Sequence, residues 1–155
     1  MMKLVWKWPE GPPVSAAKVK DIEAALGVVF PRSLVEVLHC GDGLQPDPEG
    51  VVAGPAGEEV VINILGKLET FWDHGILRAK ELLNEYGKER GQDLEWIIPI
   101  GDNGDGWICL DYRSDPRREN CSVVDYSLSP LDDADENGLV FISPDFETFI
   151  GMLRG

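Results

Sequence analysis

Trp96-Ile97-Ile98-Pro99-Ile100-Gly101-Asp102-Asn103-Gly104-Asp105-Gly106-Trp107-Ile108-Cys109-Leu110-Asp111 holds two apolar runs around a loop of glycines and short acidic residues. Physically it reads as a strand, a tight turn and a second strand. Asn103-Gly104 is the dipeptide best able to take the positive backbone angles of a hairpin turn. No other segment of the chain joins so strong an apolar signal to so specific a turn.

Upstream of this hairpin, Ile76 to Glu89 carries Ile76, Leu77, Ala79, Leu82, Leu83 and Tyr86 at helical spacing. Gly87 weakens that helix and Gly91 stops it. Lys67 to Trp72 reads as a helical turn or two. Val60 to Leu65 is short, β-branched and bounded by turn residues, which predicts a strand. Residues 44–57 read as loop, around a strand at Val51–Ala53. Further back, Ser15 is a credible cap for a helix with Val19, Ile22 and Leu26 on one face, ended by Gly27. Phe30-Pro31 opens a second helix bearing Leu34, Val35 and Leu38, which Gly41-Asp42-Gly43 ends. Leu4 to Trp8 is a short strand or packing arm before the breaker Pro9-Glu10-Gly11-Pro12-Pro13.

Downstream, Arg113 to Asn120 is a charged turn and Cys121 to Tyr126 a strand. Ser127 to Gly138 is acidic and turn-rich, and Leu139 to Ile142 is apolar again. Ser143-Pro144-Asp145 then starts a helix with Ser143 as cap and Pro144 in the first turn, and Phe146, Phe149, Ile150 and Leu153 form its stripe. The expected fold is α+β. A largely antiparallel mixed sheet of about five or six strands is covered, on one side, by an N-terminal helical hairpin, a middle helix and a C-terminal helix.

At 155 residues, the chain is expected to form one domain over 1–155, with 1–13 as an arm. Its net charge is −14, which disfavours nucleic-acid backbones and anionic membranes and favours a basic partner. The charge is uneven. Ser33 to Gly66 holds six acidic residues and no Lys or Arg, Gly91 to Tyr112 holds five and none, and Glu119 to Leu153 holds eight and none. These stretches are either a solvated acidic surface or a docking face for a cationic protein. Cys40, Cys109 and Cys121 cannot all pair within one chain, and buried free thiols in a reducing compartment are the simplest account. Neither a secretory h-region nor a run near the roughly 18 apolar residues of a membrane span is present, so the expected location is cytoplasmic.

Other chemistry finds little footing. Counted as a calcium loop from Asp102, the third position is Gly104 and the twelfth Arg113, so the ligand pattern fails. His39, Cys40, His74, Cys109 and Cys121 lack zinc spacing. A Cys40–His74 or Cys109–His39 nucleophile pair has no supporting motif. Gly101, Gly104 and Gly106 are in the wrong order for a dinucleotide fingerprint, and the neighbouring carboxylates would repel phosphate. No cofactor or metal is expected. Trp96 reads as a plug at the core edge, whereas Trp107, after Gly106 and beside Asp105, suits an interface anchor.

Several of these residues resemble the SUKH superfamily in order and spacing. Ile22-Glu23, Leu26-Gly27, Phe30-Pro31, Leu38 and Gly41-Asp42-Gly43 are similar to its opening, with Gly41-Asp42-Gly43 in place of an amide-Gly-Gly turn. Ile98-Pro99, Gly101 through Gly106 and Leu110-Asp111 resemble its central hallmark. Val123-Val124-Asp125 and the closing segment Ile142 to Leu153, with Phe146 and Phe149, resemble its end. The resemblance implies a non-enzymatic, protein-binding α+β module. Bacterial members are mostly immunity proteins that neutralise polymorphic toxins, often nucleases or deaminases, and fungal members are regulatory scaffolds of cell-wall synthesis. With the acidic charge, this makes the leading expectation an immunity protein for a basic toxin domain. Its partner-binding candidates are Asp42, Asp102, Asp105, Trp107, Asp132, Asp133, Asp135 and Glu136. The alternatives are a regulatory scaffold with a cellular partner and a small hydrolase.

Overall fold

The computed structural model describes residues 5–7, 15–38, 45–47, 50–53, 59–62, 64–65, 76–102, 106–127 and 134–152. In chain order the elements are β1 (Val5–Lys7), α1 (Ala16–Leu26), α2 (Arg32–Leu38), β2 (Gln45–Asp47), β3 (Gly50–Ala53), β4 (Glu59–Ile62), β5 (Ile64–Leu65), α3 (Ile76–Arg90), β6 (Ile97–Asp102), β7 (Gly106–Asp111), β8 (Ser122–Ser127), β9 (Leu139–Ser143) and α4 (Phe146–Met152). The class is α+β. Among the described residues no helix is long and apolar enough to cross a membrane.

The sheet is built on the hairpin that the sequence singles out. β6 pairs antiparallel with β7, from Ile97↔Asp111 to Asp102↔Trp107. β8 and β9 extend it on one side and β5 on the other, in the order β5-β6-β7-β8-β9, with antiparallel pairing throughout. Four of these strands are five or six residues long, and β5 adds a two-residue pairing at the edge. The count falls at the low end of expectation because the Val60–Leu65 run is divided. Its first half, in β4, pairs with β3 in a separate two-stranded sheet, and only Ile64–Leu65 reaches β6. β2, in a stretch expected to be loop, pairs with β1 through Trp6↔Pro46. A two-stranded sheet leaves one side of each strand open, where a proline costs no ladder bond.

Helices cover both faces of the sheet, not one. On β7, Ile108 and Leu110 enter a first core with Ile98, Ile100, Val123 and Ile142, packed by Val19 and Ile22 of α1, Leu34 of α2, and Phe146 and Phe149 of α4. The alternate residue Cys109 enters a second core with Ile97, Val124, Tyr126 and Leu139, packed by Leu83 of α3 and by Leu94. The doubled apolar pairs Ile97-Ile98, Cys109-Leu110 and Val123-Val124 carry this outcome, because adjacent strand residues point to opposite faces. α3 serves both cores, since its first residue, Ile76, belongs to the first.

Local signals set most helix ends. Ser15 accepts the Lys18 N–H at 3.2 Å, and Gly27 ends α1 at φ +74°. At α4 the cap is Asp145 rather than Ser143. The Asp145 carboxylate accepts the Thr148 N–H at 2.6 Å, which leaves Ser143 as the last residue of β9 and Pro144 ahead of the first turn. Gly87 does not fray α3. It is buried within the helix, where a Cβ would meet Leu94 Cδ1 at 2.8 Å, so it permits the 91–95 turn to fold back onto α3. The Gly41-Asp42-Gly43 stop, the turn over Lys67–Trp72 and the Asn103-Gly104 dipeptide lie outside the described residues.

A clamp fixes the α1–α2 connection to one end of the sheet. Arg118, at φ +56°, stacks its guanidinium 4.0 Å from the centroid of the Trp96 ring and donates to the Tyr112 carbonyl at 2.7 Å. Its own carbonyl accepts the Val29 N–H at 2.9 Å, and the Tyr112 hydroxyl donates to the Val29 carbonyl at 2.6 Å. Trp96 is therefore packed at the core edge, where the sequence places it.

Candidate protein-binding surface

At the opposite end of the sheet β6 finishes at Asp102 and β7 begins beside Trp107, two of the candidate residues. The register there runs Asp102↔Trp107↔Tyr126↔Leu139 across four strands. The chain leaves β6 at Asp102 and re-enters at Gly106; it leaves β8 at Ser127 and returns to β9 at Leu139. Both acidic connections are thus tethered to the same end. Asp42, Asp105, Asp132 and Asp133 lie outside the described residues, and Asp102 is described only by its place in β6.

Trp107 is half-buried. Its ring lies 6.0 Å from that of Tyr86 and 6.3 Å from that of Tyr126, and it packs on the second core. The row is held from below, since the buried Tyr126 donates its hydroxyl to Gln92 Oε1 at 2.8 Å. Arg90 sits over Tyr86 with 5.8 Å from Cζ to the ring centroid, so an aromatic face at this end accepts a guanidinium. Trp107 combines a core contact with partial exposure, a combination suited to an anchor at an interface.

Asp135 and Glu136 are both exposed, but their surroundings differ. Asp135 is tied down. Its Oδ1 accepts the N–H groups of Asn137 at 2.8 Å and Leu139 at 3.1 Å, and its Oδ2 lies 3.5 Å from Arg113 Nη2. Arg113 is itself bound through two donors to Asp111. Asn137 Oδ1 accepts the Asp93 N–H at 3.0 Å, which fastens the loop to the turn after α3. Asp135 therefore shapes the loop that presents Glu136. Nothing in the spacing of Gln92, Asp93, Arg113 and Asn137 marks them as a set. They meet only because β9 returns beside β8.

The two described cysteines and two of the described carboxylates, Asp115 and Asp145, are shifted away from nucleophilic or general-acid use. Cys109 is fully buried, and that burial, with the nearby charge of Asp125, pushes its thiol well above the usual range. Burial likewise pushes Cys121 up to about 11. A nucleophilic cysteine needs the reverse shift. Backbone N–H groups hold Asp115 and Asp145 below the usual carboxylate range, opposite to a general acid. Among the described residues no group of three or more His, Cys, Asp or Glu is placed to hold a metal ion. Cys109 and Cys121 are free thiols; Cys40, His39 and His74 lie outside the described residues.

No curated protein matches the chain. The model of the SMI1 / KNR4 family (SUKH-1) matches residues 13–152, from the segment before α1 to the end of α4. That span contains both cores and the paired strands β6 and β7, and it covers far more than half of the sequence. This chain belongs to the SMI1 / KNR4 family (SUKH-1).

Proposed function

We propose that this chain is a cytoplasmic immunity protein that binds and neutralises a basic toxin domain of the nuclease type, without catalysing a reaction itself. Family membership fits a protein-binding immunity or regulatory role. The observation that carries the more specific reading is the charge of −14, together with a register that tethers two acidic connections to one end of the sheet. In this reading Asp42, Asp102, Asp105, Asp132, Asp133, Asp135 and Glu136 steer and pair with the toxin, while Trp107 anchors it. An acidic face that takes the place of nucleic-acid phosphates would occlude a nuclease's substrate cleft. Free thiols at Cys109 and Cys121 suit a reducing compartment.

The test is co-expression with the toxin encoded beside this gene, read as growth rescue and as co-purification. Charge reversal at Asp132, Asp133 and Asp135 is expected to weaken binding and flatten its salt dependence. Unchanged affinity and salt dependence would rule that loop out as the interface. If no toxin is encoded nearby and the co-purifying protein is a resident of the cell, the regulatory scaffold is the correct reading.

A further inference from the structure

We propose that the outer edge of β9, at Phe141, takes an extended segment of the protein partner flanked by Lys or Arg as an added strand. This rests on the protein-binding reading above and names the surface that would be used.

Backbone direction makes the first argument. β9 is the last strand in its sheet, and among the described residues no strand pairs with its outer side. The Leu139 N–H donates to Asp135 Oδ1, and the Leu139 carbonyl accepts the Asp135 N–H at 2.8 Å. Leu139 therefore turns its backbone groups away from β8. Directions alternate along a strand, so Val140 faces β8 and Phe141 faces outward again. The first outward rung is closed by the chain's own Asp135. The second, at Phe141, meets no hydrogen-bonding group among the described residues. Beyond it, a bulge opposite Val123/Val124 ends the regular edge. Among the described residues one rung stays open, bounded on both sides.

Side-chain exposure makes the second argument. Phe141 is 49% exposed, and the only other large hydrophobic exposed among the described residues is Val29. An apolar side chain beside an open backbone rung is a feature that isolated edges normally avoid. The pairing Phe141↔Val124 puts the ring on the face that carries the second core, at its rim.

Charge selects the occupant. Between Glu119 and Leu153 there is no Lys or Arg, and exposed acids flank β9 on both sides: Asp135 and Glu136 before it, Asp145 and Glu147 after it. Arg113, the basic group that reaches Asp135, is also held by Asp111. A second copy would bring the same flanking acids on a chain of charge −14, so self-pairing is opposed. A strand with basic flanks is attracted.

The probe is a synthetic peptide of alternating Thr and Val flanked by lysines, compared with the same peptide flanked by glutamates. Hydrogen exchange is read residue by residue and affinity is read by titration. The expected result is slowed exchange at the Phe141 amide with the lysine peptide alone, about tenfold weaker binding to F141A, and none to F141P. F141P deletes the outward N–H and nothing from the β8 ladder. If F141P does not fold, F141A and the exchange map still decide. Equal binding of both peptides, unchanged affinity for F141A, or protection that leaves out Phe141 would overturn the proposal. So would a concentration-dependent dimer protected at Phe141, since a second copy would then occupy the edge. In the co-expression assay, full rescue by F141P overturns the edge alone, whereas failure of the wild-type chain to rescue overturns the immunity reading alone.

Discussion

Replacing Asp135 by Ala removes the group that closes the loop before β9. Its Oδ1 accepts two backbone N–H groups, from Asn137 at 2.8 Å and Leu139 at 3.1 Å, and its Oδ2 lies 3.5 Å from Arg113. Hydrogen bonds to a charged acceptor are worth about 1.5–3 kcal/mol; the exposed bond from Asn137 falls to about 0.5 kcal/mol, and the bond from the buried Leu139 stays near the low end, about 1.5 kcal/mol. The ion pair joins two partly exposed groups and adds about 0–1 kcal/mol. D135A is therefore expected to lose about 2 kcal/mol. D135N keeps an amide oxygen where Oδ1 stands but puts an NH2 donor opposite Arg113 in place of Oδ2, so it loses the ion pair and keeps both backbone bonds, and it should lie within about 1 kcal/mol of wild type. Urea unfolding measures both, as a shift in midpoint at constant slope. The same pair separates two roles at the partner surface. D135N should lower the association rate without loosening the fold, whereas D135A should do both. A D135A chain as stable as wild type, or a D135N chain as weak as D135A, would refute the assignment of Asp135 as a loop anchor.

Gly138→Ala forces a side chain onto a residue at φ +76° and places a Cβ 2.9 Å from Gln92 Nε2 and 3.3 Å from Tyr126 Cε2. The left-handed angle alone costs about 1–2 kcal/mol; Q92A by itself loses the Tyr126–Gln92 bond, so the collision is read as the coupling energy of the G138A/Q92A double-mutant cycle in thermal unfolding, which cancels that loss and leaves the backbone cost in G138A. Arg118→Ala loses the 2.7 Å bond to the Tyr112 carbonyl and the stacking on Trp96, for about 1–2 kcal/mol, and Trp96 fluorescence should shift as the ring becomes hydrated. Lys80 donates to the Leu94 carbonyl at 2.6 Å, and burial pulls its ammonium down from 10.5 to about 8. The unfolded chain then holds that proton more tightly, so Lys80 makes stability rise with pH between about 8 and 10.5. Cys109 acts in the opposite sense above its ordinary thiol range, so the rise is read as the difference between wild type and K80M. A difference that stays flat from pH 8 to 10.5 would contradict the burial of a charged Lys80.

Sequence reading succeeds here wherever the signal is local. Ser15 and Gly27 bound α1 because a cap hydroxyl and a left-handed glycine act within one turn of the helix. The α3 stripe yields buried Ile76, Ala79 and Leu83 at helical spacing. Cys109 and Trp96 stand where their apolar neighbours imply. The misplaced cap at α4 shows how close competition is resolved. Ser143 and Asp145 are both good caps, and the extent of β9 awards the role to Asp145.

Composition and periodicity determined the class, the central hairpin, three of the four helix starts and the acidic character, because each rests on chemistry within a few residues. Tertiary structure alone decided which half of Val60–Leu65 joined the main sheet, that Pro46 could sit in a strand, and that α3 packs opposite α1, α2 and α4. It also decided the placement of functional groups. Asp135 became a loop anchor and Phe141 an exposed edge residue because β9 lies outermost in the sheet, with Leu139 folded back onto Asp135. Strand order is a property of pairings between residues far apart in the chain, and no local pattern encodes which strand is left with an open side.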